Sequence, residues 1–66
     1  MKATLLSTDN EEVQDLVGTS DFLTVSEHTT YEFQDMVFQC KFKKKLADGN
    51  TRIVSTLGNT YLFKIL

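Results

Sequence analysis

Residues 36–66 read MVFQCKFKKKLADGNTRIVSTLGNTYLFKIL, and this stretch decides the fold. It holds two dipeptides typical of tight hairpin turns, Asp48-Gly49 for a type I′ turn and Gly58-Asn59 for a type II′ turn. The residues around them are rich in β-branched and aromatic types, and the chain has no proline to interrupt a strand. We therefore predict a three-stranded antiparallel meander with strands at residues 36–47, 50–57 and 60–66.

The segment before residue 20 predicts one short helix. Thr8 and Glu11 have the spacing of a capping box, in which a hydroxyl and a glutamate three residues later satisfy the first backbone N–H groups. Apolar residues then follow at helical spacing, before a glycine suited to ending a helix: Val13, Leu16, Val17 and Gly18. The helix is expected over about residues 10–17.

The other N-terminal segments predict one or two further strands. Residues 22–27 alternate between apolar and polar types, which is typical of a strand, and residues 2–7 are suited to pairing with a sheet. Residues 29–36 fit either a helix capped by Thr29 or a strand, and strand is favoured from Met36 onward. The predicted fold is a single α+β domain over residues 1–66, a β-meander packed against one short helix.

Two-residue hairpin loops would also fix the register of the meander. They place Lys45 opposite Arg52, Cys40 opposite Leu57 and Val54 opposite Phe63. Because strand residues alternate between faces, two sets separate. The predicted core face carries Phe38, Cys40, Phe42, Ile53, Leu57, Leu62 and Leu66. The opposite face carries Gln39, Lys41, Lys43, Lys45, Arg52, Tyr61, Phe63 and Ile65.

Length and cysteine content restrict how the domain is stabilised. A chain of 66 residues buries only about 60% of the surface that its unfolded form exposes, so marginal stability is expected. Its one cysteine, Cys40, allows neither an internal disulfide nor a Cys/His zinc cage. We therefore expect stability from self-association, as in a homodimer. No secretory signal or apolar run of membrane-spanning length is present, so a cytoplasmic location without membrane contact is expected.

Charge is divided unevenly along the chain. Residues 1–40 carry eight acids and one base, a net charge of −7, whereas residues 41–66 carry six bases and one acid, a net charge of +5. Fields of one sign steer and select charged partners, so this asymmetry predicts an interaction surface.

The charged residues define two candidate binding sets. The acidic set is predicted to dock on a basic partner: Asp9, Glu11, Glu12, Asp15, Asp21, Glu27, Glu32 and Asp35. The basic set joins cations with aromatic rings, a combination that holds single-stranded nucleic acid: Lys41, Lys43, Lys45, Arg52, Tyr61 and Phe63. Each set also has a structural interpretation, as an ordinary solvated face or a lysine-protected strand edge.

Catalysis is not predicted. His28 stands alone, Cys40 lies among apolar neighbours, and no phosphate-binding glycine loop, HExxH motif or EF-hand spacing occurs. We expect no enzymatic activity, no cofactor and no metal.

The favoured function is therefore a non-catalytic binding protein whose acidic half docks on a basic protein. Closely spaced carboxylates can imitate a nucleic-acid backbone, so one version is an inhibitor or regulator of a DNA-binding protein, of the kind that phages and mobile elements encode. The alternative is a small single-stranded nucleic-acid-binding protein that uses the basic set.

Overall fold

Six antiparallel strands form a closed barrel in this computed structural model, which describes all 66 residues. Strand order around the barrel equals chain order, and the last strand pairs with the first to close it. The strands are β1 (Lys2–Thr8), β2 (Ser20–Ser26), β3 (Thr30–Phe33), β4 (Met36–Lys45), β5 (Thr51–Ser55) and β6 (Thr60–Ile65).

The barrel curves because β2 and β4 each change partner partway along their length. β2 pairs with β1 through residues 20–22 and with β3 through residues 23–26. β4 pairs with β3 through residues 36–39 and with β5 from Cys40 onward, with a bulge between Cys40 and Phe42. A bulge bends its strand and increases local twist, which lets β4 turn from one sheet into the other.

The predicted α+β class was wrong, because the protein is almost entirely β. The expected helix is a short 3₁₀ helix, Glu11–Leu16, kinked at Val13 and without a fully buried residue. Its N-cap is Asn10, whose side chain accepts from the Glu12 N–H. The hydroxyl of Thr8, the predicted cap, accepts instead from the Asn10 N–H and donates to the Thr60 carbonyl. So short a helix has little stability of its own. Six strands enclose the core, rather than a β-meander packed against a helix.

The core fills the barrel interior with apolar and aromatic side chains. Buried residues alternate along the strands, as expected for a barrel with one face inward. They are Ala3, Leu5, Leu23, Tyr31, Phe33, Met36, Phe38, Ile53, Tyr61 and Phe63. The ring of Phe38 stacks between those of Tyr31 and Tyr61, with centroids 5.7 Å and 4.4 Å away, and Phe33 meets Phe63 edge to face at 5.1 Å.

Both C-terminal hairpins have three-residue loops, so the register predicted from two-residue loops was wrong. The N–H of Leu46 donates to the Asn50 carbonyl, and Gly49 adopts a φ of +89° beside this closing pair. Lys44 rather than Lys45 therefore lies opposite Arg52. The next hairpin closes in the same way between Ser55 and Asn59, which pairs Val54 with Thr60 rather than with Phe63.

These shifts, together with the bulge in β4, reverse the predicted faces of β6 and of β4 after the bulge, whereas Phe38 and Ile53 lie in the core as predicted. Tyr61 and Phe63 are buried in the interior, whereas Phe42 and Leu57 of the predicted core face are 51% and 90% exposed. Lys43 lies opposite the buried Ile53 and so points to the inner side, at an end of β4 that β3 does not reach. The side chains of β4 after the bulge thus have the opposite orientation to the prediction.

Candidate binding site at the acidic pole

Three connections meet at one end of the barrel because antiparallel strands alternate in direction. They join β1 to β2, β3 to β4, and β5 to β6. None of the three contains a lysine, arginine or histidine. Together they carry five carboxylates, which we call the acidic pole: Asp9, Glu11, Glu12, Asp15 and Asp35.

The remaining members of the predicted acidic set lie elsewhere. Glu27 is in the β2–β3 turn, at the opposite end of the barrel, and Glu32 lies exposed on β3. Asp21 is half-buried on β2 and accepts a hydrogen bond from the Phe22 N–H at 2.7 Å. The structure therefore brings five of the eight predicted acids together and separates the other three.

Asp9 links the β1–β2 connection to the β5–β6 connection through hydrogen bonds. Its Oδ1 accepts from the Thr60 N–H at 2.9 Å and from the side-chain amide of Asn59 at 3.4 Å. The hydrogen bond from the Thr60 backbone is the main cause that lowers the pKa of the Asp9 carboxyl. Asp9 thus has a structural role beside its contribution to the negative charge.

Asn10 fixes the start of the 3₁₀ helix from two sides. Its Oδ1 accepts from the Glu12 N–H at 3.1 Å, and its Nδ2 donates to the hydroxyl of Tyr61 at 3.0 Å. Gln14 adds a bond from its amide to the Thr8 carbonyl at 2.7 Å. These bonds fix the backbone that carries Glu11 and Glu12 at one end of the barrel.

A pocket of about 590 Å³ opens between the 3₁₀ helix, the start of β4 and the β5–β6 connection. The buried side chains of Met36, Phe38 and Tyr61 belong to its lining, and Glu12 and Asp35 supply two carboxylates. No lysine, arginine or histidine lines it. A pocket that combines apolar and polar lining with two carboxylates and no cation is complementary to a ligand that carries positive charge on an apolar stem.

The predicted basic set is not brought together. Tyr61 and Phe63 are inside the core, Arg52 points outward beside Lys44, and Lys41 lies at the bulge. A second pocket, of about 200 Å³, is lined by Lys43 and Lys45 among core residues at the end opposite the acidic pole. The Nζ of Lys43 lies 6.0 Å from the centroid of the Tyr31 ring there.

Sequence reasoning missed several residues that shape these surfaces. Asn10 was not recognised as the helix cap, although an asparagine before two glutamates is a signal for one. Leu57 and Val37 were not recognised as pocket-lining residues, and Lys44 and Lys64 were left out of the basic set. The strand register places Val37, Lys44 and Lys64, and the three-residue loop of the last hairpin places Leu57.

Cys40 is a free cysteine whose side chain is partly buried. Burial raises the pKa of the Cys40 thiol, and the nearby charge of Lys43 opposes this shift only in part. No group of three or more His, Cys, Asp or Glu side chains is placed to hold a metal ion. No helix has the length and apolar content needed to cross a membrane.

Comparison with known proteins does not add to this geometry. No family model, curated protein or solved structure matches the chain.

Proposed function

We propose that the protein is a non-catalytic binding protein whose acidic pole docks on a basic protein partner. The observation that carries this proposal is the pole pocket, where Glu12 and Asp35 are combined with a buried apolar lining and no cation. A lysine or arginine side chain of the partner enters the pocket, its alkyl stem against Met36 and Phe38 and its charged group near the carboxylates.

Charge supports this orientation of the complex. The five carboxylates of the pole lie on connections that contain no base, so their field is directed outward from one end of the barrel. Such a field accelerates encounter with a positively charged surface over about one Debye length, roughly 8 Å at physiological salt. It also repels acidic partners, which gives selectivity.

The apolar lining adds binding free energy that the carboxylates alone do not provide. An exposed ion pair contributes only about 0.2–1 kcal/mol, so carboxylates on a surface make a weak site. A stem buried against apolar side chains adds about 0.8 kcal/mol for each buried CH₂ group. A basic partner that presents one long cationic side chain therefore gains from both effects.

A nucleic-acid-binding protein fits this partner class. Its basic surface accepts phosphates, and the pole presents carboxylates to the same cations. Binding of the pole would then compete with nucleic acid for that surface, which makes the protein an inhibitor or regulator of its partner.

A peptide titration tests the proposal directly. The probe is a fluorescein-labelled nona-arginine peptide, and its anisotropy is followed as the full chain is added at 50 mM and 300 mM NaCl. The pole variant is Glu12→Lys with Asp35→Lys, and the matched control is Glu27→Lys with Glu32→Lys, which makes the same change in net charge at residues that do not line the pocket.

We expect the pole variant to weaken binding at least tenfold and the control to weaken it less than threefold. A leucine variant of Met36, Met36→Leu, keeps the lining apolar and should bind within about twofold of the natural sequence. Equal losses in the two charge variants would contradict the proposal, because they would show that net charge alone governs binding.

A further inference from the structure

The outer side of β4, β5 and β6 is a separate charged surface, which we call the cationic wall. The buried residues Ile53, Tyr61 and Phe63 point inward, so the residues that alternate with them point outward. The outward residues of these strands are Phe42, Lys44, Arg52, Val54, Thr60, Leu62 and Lys64. Three are cations and none is an acid.

The register places two of these cations directly opposite each other. Lys44 and Arg52 are cross-strand partners on β4 and β5, and both are exposed. Like charges in this arrangement destabilise a sheet, by an amount comparable to other cross-strand pair energies. The sequence therefore maintains an unfavourable pair on a wall that supplies no carboxylate of its own.

The protein's acids do not neutralise this pair. The carboxylates that accept hydrogen bonds are those of Asp9, Asp21 and Asp48, and they accept them from backbone N–H and side-chain amide groups. Asp9 of the acidic pole borders the wall at Thr60, whose N–H donates to its carboxylate, but the row of Lys44, Arg52 and Leu62 contains no acid. An external anion that lies over Lys44 and Arg52 would relieve their repulsion.

An exposed aromatic ring accompanies the cations. Phe42 is 51% exposed and lies two residues before Lys44, on the same outward side of β4. The rings of Tyr31, Phe33, Phe38, Tyr61 and Phe63 are all buried, so Phe42 is not part of the core stack. A ring beside cations favours a ligand with both negative charge and flat unpaired bases.

We propose that the cationic wall binds single-stranded nucleic acid. Phosphates contact Lys44, Arg52 and Lys64, and one base stacks on Phe42. The three strands span only about 10 Å at a strand spacing of ~4.8 Å, so the site covers a short run of nucleotides. A duplex keeps its bases paired and offers no ring to Phe42, and an acidic protein supplies charge without a required stacking group.

This inference goes beyond the proposed function because the two surfaces share no residue. The pole pocket is formed by the connections at one end, whereas the wall is the outer side of three strands. The wall is therefore assigned a second ligand, different in class from the partner of the pole.

The test is a titration of a 5′-fluorescein-labelled dT12 oligonucleotide with the full chain, followed by anisotropy between 25 and 200 mM NaCl. Neutralisation of about three phosphates predicts a slope of log affinity against log salt near −2. The wall variant is Lys44→Glu with Arg52→Glu. Its matched control, Lys43→Glu with Lys45→Glu, makes the same charge change on the inward side of the same strand.

We expect the wall variant to lose at least tenfold in affinity and the control to lose less than threefold. Phe42→Leu keeps an apolar side chain but removes the ring, and it should weaken binding about fivefold or more. Circular dichroism verifies the fold, and Lys44→Gln with Arg52→Gln replaces the wall variant if the reversal unfolds the barrel.

Four results would overturn the proposal. They are no anisotropy change at 25 mM NaCl, equal losses in the wall and control variants, equal affinity for a dT12·dA12 duplex, and equal affinity for an oligoglutamate peptide of matching charge. The last two would assign the wall to duplex DNA or to an acidic protein.

Discussion

The side-chain amide of Asn10 donates a hydrogen bond of 3.0 Å to the hydroxyl oxygen of Tyr61. Tyr61 is buried and its ring stacks on Phe38, so this bond joins the 3₁₀ helix of the acidic pole to the aromatic core. The position of the pole carboxylates is therefore coupled to packing inside the barrel.

Removal of the Tyr61 hydroxyl should destabilise the protein and loosen the pole. Tyr61→Phe should lower the free energy of unfolding by about 1 kcal/mol, the usual net contribution of one hydrogen bond. Asn10→Ser removes the donor to Tyr61 but keeps an oxygen that can accept from the Glu12 N–H. Urea denaturation of both variants and of their combination measures the coupling. Strictly additive effects would contradict a direct bond.

The Asp9 carboxylate should make stability depend on acid pH. Hydrogen bonding, chiefly from the Thr60 N–H, lowers its pKa in the folded state below the ordinary value of 3.8. The charged form is therefore favoured by folding. Its contribution is fully present above the unfolded-state pKa and is lost as pH falls through the folded-state pKa.

Asp9→Asn checks this sign, because asparagine retains an acceptor oxygen and does not titrate. The stability difference between the natural sequence and this variant should shrink as the pH is lowered from about 5 to about 2. Urea midpoints measured across this range report the change, and Asp15→Asn, on the same connection, is the control. A difference that stays constant with pH would refute the assignment.

Cys40 should react slowly in the folded protein. Burial raises the pKa of its thiol, so less of the reactive thiolate is present at neutral pH. Alkylation by iodoacetamide at pH 7.5, followed by mass spectrometry, should be several-fold slower than in urea. Lys43→Gln removes the nearby charge that opposes the shift and should slow the reaction further. A rate equal to that of the unfolded chain would exclude this effect.

Gly49 should be required for its backbone conformation alone. It has a φ of +89°, and an added Cβ would have no atom within 4 Å. Gly49→Ala should therefore cost about 1–2 kcal/mol from backbone strain without any clash. Ala47→Gly in the same loop is the control and should cost less. Thermal unfolding measures both, and an unchanged melting temperature for Gly49→Ala would disprove the strain.

The strands of the C-terminal half could be located from sequence, but their partners could not. Alternation and turn residues predict strands that overlap β4, β5 and β6. Asp48-Gly49 fits either a two-residue loop or a three-residue loop with glycine in its last position, and one residue of difference reverses every face. The bulge after Cys40 has no glycine to mark it.

β3 was uncertain because its turns lack glycine. Glu27, His28 and Gln34 adopt positive φ angles, which ordinary side chains take at an energetic cost. Sequence patterns assign such angles to glycine or asparagine, so neither end of β3 carried a turn signal. The contribution of the helix to the core was overestimated. Val13 and Leu16 have helical spacing, but they are only partly buried and pack against the core from outside it.

The acidic pole was predictable in part, whereas the basic set was not. Charged residues on the connections lie together whenever their connections are at the same end of the barrel. Glu12 and Asp35 are therefore grouped without any knowledge of the strand register. The side on which a strand residue lies depends on the register and on the bulge, which place Lys43 inward and Lys44 outward. Surfaces made from connections were thus better predicted than surfaces made from strands.

The pairing of β1 with β6 has a consequence for biosynthesis. Ala3 lies opposite Ile65, so the seam joins positions separated by almost the whole described chain. During translation, β1 remains an unsatisfied edge until the sixth strand has left the ribosome, and a stalled or truncated product exposes two unpaired edges that invite aggregation. The nascent polypeptide should therefore be most prone to aggregation before β6 emerges and pairs with β1.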